Sequence, residues 1–267
     1  MNFEKLNWEN DRVVIGDFTF SLGISKPENF DKGDECFVLW KNKAILDEYK
    51  TYFSINNKQS NNVLELGMWD GGSTALWYEL LRPKRIVGID NLDKKDTDYF
   101  TRWKHQRMEE DGSLIKTFWN TSQANAQQVR DIIKNEFNGE SIDIVFDDAS
   151  HHYSSTIVSF ETIFPYLQPG AIYIIEDWAW LHWKNWVHKF PRGEDISKLV
   201  YQMIQSAGSY SDIISSVNVY PGFAVVERGT KQLSDDFKLQ EHIFLPTYNK
   251  KKTFKKRLKA AIKAMIE

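Results

Sequence analysis

Two stretches of this 267-residue chain gather acidic side chains at the ends of apolar runs. Ile142-Asp143-Ile144-Val145-Phe146 leads into Asp147-Asp148-Ala149-Ser150-His151-His152, and Ala171-Ile172-Tyr173-Ile174-Ile175 leads into Glu176-Asp177-Trp178. If the runs are neighbouring parallel strands, their ends lie about 5 Å apart. Carboxylates gathered there repel one another unless something positive sits among them. A hard divalent cation such as Mg²⁺ fills that role with oxygen ligands, and it keeps waters that the hydroxyls of a substrate replace. His151, at i+3 from Asp148, projects beside such a metal. There it takes a proton from a hydroxyl whose pKa the metal has lowered. Asp148 and His151 are the candidate catalytic pair. The competing reading is structural: Asp147 caps the next helix or meets the amine of a cofactor, the other acids are ordinary N-caps, and the two histidines lie on the surface.

A second candidate site is Val63-Leu64-Glu65-Leu66-Gly67-Met68-Trp69-Asp70-Gly71-Gly72-Ser73, which joins a short apolar strand to a helix. A dinucleotide fingerprint needs another glycine at i+2 from Gly67, so that backbone can approach a pyrophosphate. Trp69 holds that position. The spacing acid–x–Gly–x–x–x–Gly suits a sulfonium nucleoside, which carries no phosphates and needs less clearance. The next apolar run, Ile86-Val87-Gly88-Ile89, ends in Asp90, one strand over. A carboxylate there can accept both hydroxyls of a ribose.

The run from Val63 to Asp90 resembles the first two motifs of class I S-adenosylmethionine-dependent methyltransferases. The resemblance implies that the cofactor, S-adenosyl-L-methionine, meets Glu65, Gly67, Met68, Trp69, Gly71 and Ser73 in the first loop. Asp90 and Asn91 would follow at the ribose, Ser122 and Gln123 of the Asn120–Gln123 loop near the adenine, and Asp147 close by. That third loop lacks the acid common in the family. Asp-Asp-x-Ser-His, then Phe164-Pro165-x-Leu167-x-Pro169-Gly170, then Tyr173-Ile174-Ile175-Glu176-Asp177-Trp178, is similar to one branch of that class. The branch contains metal-dependent O-methyltransferases of macrolide and aminocoumarin sugars, together with cephalosporin-hydroxylase-type proteins. The likeness runs from about Asn61 to Arg228. It implies metal ligation by Asp148, Glu176 and Asp177, with Mg²⁺ or another divalent cation, and His151 as general base. Glu176 stands where several relatives carry Asp.

The elements that must position these residues alternate. Strands are expected at 63–66, 85–89, 114–119, 142–146 and 171–175. Helices are expected at 73–81, 98–110, 123–137, 156–167 and 196–207, with a closing strand pair at 213–220 and 223–227. This is a doubly wound α/β fold with a mostly parallel seven-stranded sheet. Such sheets bind ligands at the carboxyl ends of their strands. Residues 1–35 are expected to form a small β-containing lead, with a helix over 35–53. The expected division is a lead or lid segment at 1–55, a catalytic domain at 56–230, and a C-terminal extension at 231–267. From Trp178 to Trp186 the chain reads W-A-W-L-H-W-K-N-W, which is either a helical aromatic face for a sugar or other flat acceptor or a core or lid element.

Composition bounds the function. Apolar residues make up 42% and charged residues 27%, as in a folded protein. A single cysteine, Cys36, excludes an intramolecular disulfide framework and a cysteine zinc cluster. With no apolar leader in MNFEKLNWEN and no run of spanning length, a cytoplasmic protein is expected. The net charge of -3 is asymmetric: residues 250–267 carry +7 and the rest -10. An acidic body argues against nucleic acid as a partner. The tail has an apolar stripe (Phe254, Leu258, Ala261, Ile262, Met265) among lysines. It reads as a helix for the inner face of a membrane or for a partner, or as one packed on its own acidic body. The leading expectation is hydroxyl methylation of a sugar or glycosylated small molecule by a monomer or homo-oligomer. The alternatives are another enzyme on this fold, such as a hydroxylase-type relative, or a non-catalytic nucleoside-binding module.

Overall fold

The computed structural model of the chain describes residues 2–23, 36–184 and 195–244. Its strands are β1 Arg12–Ile15, β2 Phe18–Leu22, β3 Phe37–Leu39, β4 Asn62–Leu66, β5 Arg85–Ile89, β6 Leu114–Phe118, β7 Ile142–Asp147, β8 Leu167–Glu176, β9 Ile214–Val219 and β10 Phe223–Arg228. Its helices are α1 Lys43–Ile55, α2 Gly72–Leu81, α3 Asp98–Asp111, α4 Ala126–Phe137, α5 Tyr153–Ile163 and α6 Ser197–Ser209. Seven strands form the main sheet in the order β6-β5-β4-β7-β8-β10-β9. β4 to β8 run parallel, and β10 is antiparallel to both its neighbours. The order turns back between β4 and β7, which is where an open α/β sheet has its ligand crevice.

Strand alternation divides the core into two layers. Val63, Ile86, Ile144, Phe146, Ile172, Ile174 and Val225 point to the layer of α1, α2 and α3. Leu64, Leu66, Val87, Val145, Tyr173, Ile175 and Val226 point to the layer of α4, α5 and α6. Both faces are buried, so these strands read as continuous apolar runs. The first layer is strongly aromatic: Trp77 stacks on Phe146 with centroids 4.2 Å apart, and Tyr49 stacks on Phe223 at 4.1 Å.

The lead segment shares this first layer. β1 and β2 form a hairpin, and β3 joins β2 in parallel. Phe18 and Phe37 meet Tyr99, Phe100 and Trp103 of α3, and Phe20 packs on Phe37. The helix expected over 35–53 is therefore corrected. Phe37-Val38-Leu39 is a buried strand paired to β2, and α1 begins only where the Asn42 side chain accepts from the Ile45 amide at 2.9 Å. Likewise the helix expected from 123 begins at Ala126, capped by Asn125, because Gln123 is drawn into a buried network. The helix expected from Trp178 is a single 3-10 turn, Trp180–His182, in the described residues. Trp186, His188 and the basic tail lie outside the described residues. Among the described residues, no helix is long and apolar enough to cross a membrane.

Candidate active site

The crevice is built on the carboxyl ends of β4, β5, β7 and β8. After β4, Gly67 has φ +82°, and a Cβ there would overlap the carbonyl of Asp148. The glycine lets the loop after β7 lie directly against the loop after β4. The Asp148 amide donates to the Leu66 carbonyl at 2.9 Å, which ties the two strand ends. β3 crosses the start of α2: a Cβ at Gly72 would overlap the Val38 carbonyl. The lead segment is thereby carried across the crevice, with Trp40 edge-on to Trp69 at 5.5 Å and Lys41 entering the acidic strand ends.

At the end of β5, Asp90 is 6% exposed and its carboxylate accepts the Trp69 and Leu92 amides, each at 2.8 Å on a different oxygen. Each oxygen keeps a lone pair, so the carboxylate can accept from the two hydroxyls of a diol such as that of a ribose. Met68 is buried with its sulfur against Gly88, Trp69 is largely exposed, and Gly71 caps α2 with Ser73 in its first turn. Asn91 and Ser122 are exposed in their loops. Glu65 is fully buried and turned to α2, where Thr74 and Trp77 donate to its two oxygens. Burial pushes its carboxyl up to about 7, against those donors.

Parity along the strands separates the acids. Asp147 shares the face of Val145 and Tyr173, so it is buried against α5. It accepts from Tyr173 at 2.5 Å, Ser159 at 2.9 Å and Gln123 at 3.2 Å, and burial raises its pKa. Gln123 also accepts the Ser150 amide at 2.8 Å. Asp147 and Gln123, expected at the cofactor, thus hold down the loop that carries Asp148 and His151. Glu176 shares the opposite face with Ile174. There it accepts from Lys41 Nζ at 2.5 Å and Tyr49 Oη at 2.9 Å. Lys41 also donates to Asp148 Oδ2 at 2.8 Å and is 3% exposed. Burial works against the Lys41 charge, but Asp148 and Glu176 outweigh it and hold the ammonium well above the usual lysine range. Burial and then the Asp148 charge push the Glu176 carboxyl above its usual range, with Lys41 pulling the other way.

Asp148, His151 and Asp177 offer ligand atoms that all lie within 4.8 Å of one another. His151 Nε2 is 3.7 Å from Asp148 Oδ1. His151 and Asp177 both sit in the left-handed region, at φ +53° and +52°, which is uncommon for side-chain-bearing residues and concentrates at functional sites. One residue holds both. The Trp180 amide donates to the Asp177 carbonyl at 3.1 Å, and its indole N–H donates to the His151 carbonyl at 2.9 Å. Burial and then the Asp148 charge raise the Asp177 pKa. Two carboxylates and an imidazole converging at a partly open strand end fit a divalent cation. The facial iron triad of two histidines and one carboxylate is not what the described residues gather here.

Of the expected ligands, Asp148 and Asp177 come together, joined by His151, while Glu176 has both oxygens on Lys41 and Tyr49. The sequence reading did not single out Lys41, Tyr49 or the clamp at Trp180. The signals were a lysine directly after the apolar run Phe37–Trp40 and before the cap Asn42, and a tyrosine on the apolar stripe of α1.

A methyltransferase domain matches residues 64–178. Mycinamicin VI 2''-O-methyltransferase of Micromonospora griseorubida is 28% identical over 51% of this chain and 31% of its own length. An 8-demethyl-8-alpha-L-rhamnosyl tetracenomycin-C 2'-O-methyltransferase of Streptomyces olivaceus is 28% identical over 54% of this chain and 35% of its own. The chain spans about a third of the length of these two curated relatives. Among solved structures, MycE methyltransferase from the mycinamycin biosynthetic pathway, in complex with Mg, SAH and mycinamycin VI, superposes with a TM-score of 0.52. It is 25% identical, over 76% of this chain and 52% of that one. With the strand order, the Gly67 loop and Asp90 in the places described, residues 64–178 match the methyltransferase domain model, and the fold is similar to that of the MycE methyltransferase.

Proposed function

We propose that this chain transfers a methyl group from S-adenosylmethionine to a hydroxyl of a sugar-bearing small molecule, assisted by a divalent metal ion. The observation that carries this is the convergence of Asp148, His151 and Asp177 at the strand ends next to the Gly67 loop. The support from relatives is that those named above methylate sugar hydroxyls of natural products, and one of them was crystallised with Mg and SAH.

In this reading the cofactor supplies a sulfonium methyl, and a divalent ion would make an acceptor hydroxyl more acidic. Asp148 and Asp177 would hold the ion. His151, whose Nε2 lies 3.7 Å from Asp148 Oδ1, takes the hydroxyl proton at Nε2. Asp90 accepts the ribose hydroxyls. Trp180 and the Asp147–Gln123 network keep the His151 loop in its left-handed turn. Much of the rate comes from holding the acceptor oxygen in line with an already reactive methyl. Trp178, the residue after Asp177 in the chain, lines a mostly apolar cavity of about 490 Å³ with His182, Tyr201, Ile204 and Val219.

The test is release of S-adenosylhomocysteine with a panel of glycosylated acceptors, with and without EDTA. His151→Ala and Asp148→Asn are each expected to abolish turnover while S-adenosylhomocysteine binding stays within about threefold. Near-full activity in His151→Ala removes it as the base, and full activity in EDTA removes the metal.

A further inference from the structure

The acidic strand ends contain a cation of their own. Lys41 Nζ lies between Asp148 Oδ2 at 2.8 Å and Glu176 Oε2 at 2.5 Å, and Tyr49 donates to the other Glu176 oxygen at 2.9 Å. Lys41 is 3% exposed and Glu176 2%. Glu176 therefore has a protein donor on each oxygen and stands outside the converging group of Asp148, His151 and Asp177. Asp148 is shared: one oxygen serves Lys41 and the other faces His151.

The geometry points to Lys41 as a built-in counter-cation that commits Glu176 to the protein and lowers the affinity of Asp148 and Asp177 for a divalent ion. This rests on the metal-assisted reading above. An ion held by Asp148 and Asp177 would share the Asp148 carboxylate with the ammonium, so like charges would face each other across a single side chain. In surroundings this buried, the repulsion is worth about tenfold or more in ion affinity. The same ammonium offsets the mutual repulsion of the acids when no ion is bound, so the strand ends keep their arrangement in the free protein. Lys41 comes from the lead segment, outside the matched methyltransferase domain. Metal affinity is thus set by an element that the domain does not contain. An ion so held exchanges readily.

Mn²⁺ is the probe. Its binding to the full-length chain is followed by electron paramagnetic resonance of the free aquo ion, with S-adenosylhomocysteine present. The proteins are wild type, Lys41→Met, and the double variant Lys41→Met with Glu176→Gln, each checked for a cooperative melt. Lys41→Met is expected to tighten Mn²⁺ by about tenfold or more. The double variant removes the buried ammonium and carboxylate together, so no charge is stranded. It is expected to bind within about threefold of wild type, because Glu176 is not a ligand. Unchanged or weaker binding in a folded Lys41→Met overturns the proposal. So does a loss of about tenfold in the double variant, which would make Glu176 a ligand. If Lys41→Met does not fold, Lys41→Gln is titrated in its place, with the same tightening expected and unchanged or weaker binding overturning the proposal. Methyl transfer is measured separately on the wild type. Transfer with no effect of Lys41→Met sinks the counter-cation alone, and a normal Lys41→Met effect with no transfer to any acceptor sinks the enzymatic reading alone.

Discussion

Glu65→Gln isolates the cost of keeping the acid of the Gly67 motif in the core. Glu65 is fully buried, its two oxygens accept from Thr74 and Trp77 on α2, and burial lifts its carboxyl from 4.5 to about 7. The folded protein therefore holds a proton on Glu65 between about pH 4.5 and pH 7 that the unfolded chain releases. A raised carboxyl contributes stability that is fully present below pH 4.5 and lost as pH rises through about 7. Glutamine has no such loss. Relative to wild type, Glu65→Gln is expected to show a constant difference in unfolding free energy below pH 4.5, an increasing gain up to about pH 7, and a plateau above it. The gain totals about 3 kcal/mol at most, or about 5–10 °C in melting temperature for a protein of this size. Urea unfolding of the two proteins without cofactor, from pH 4 to pH 8.5, reads this directly, and the other buried acids cancel in the difference. S-adenosylhomocysteine affinity should change by less than about threefold, since both oxygens are taken by α2. A difference curve flat across the whole range refutes the argument. A large loss of affinity with a normal curve would place Glu65 at the cofactor after all.

Trp180→Phe keeps the ring but removes the donor to the His151 carbonyl. It should lower stability by about 1 kcal/mol and reduce turnover while sparing S-adenosylhomocysteine binding, and unchanged turnover would show that the clamp does not position His151. Gly67→Ala puts a Cβ against the Asp148 carbonyl at a φ of +82°. It should cost about 2 kcal/mol or more and weaken Mn²⁺ binding with it, and a variant that melts like wild type would contradict the packing of the two loops. Asp147→Asn leaves an amide among Tyr173, Ser159 and Gln123, and a loss of about 2 kcal/mol is expected with little change in S-adenosylhomocysteine affinity. A large affinity loss in a stable variant would return Asp147 to the cofactor.

The sheet was legible because its strands are short apolar runs bounded by turn residues, and a parallel sheet covered on both faces produces that pattern. The strand-end acids were legible for the same reason: they terminate those runs. The extent of the helix before β4 was misread. Phe37-Val38-Leu39 has no periodicity that separates a strand from a helix turn over three residues, and its partner β2 lies across a segment of the chain that carries no local signal.

By itself, the sequence determined that the acids of β7 and β8 meet at one edge of a sheet, and it pointed to the loop after β4 as the proposed place of a nucleoside without phosphates. Strand parity even contained the separation of Asp147 from Glu176, since the period of two puts them on opposite faces. What only the tertiary structure decided is which acid is taken up by donors of the protein itself. Lys41 and Tyr49 lie far from Glu176 in the chain, and they reach it because β3 crosses the start of α2 at Gly72. A buried carboxylate takes whatever donors the packing brings to it, and donors brought by long-range packing leave no trace in local spacing. The same holds for Trp180, whose indole reaches the His151 carbonyl across the crevice. The chemistry on offer was written along the chain, and its division among the acids was set by the lead segment folding over them.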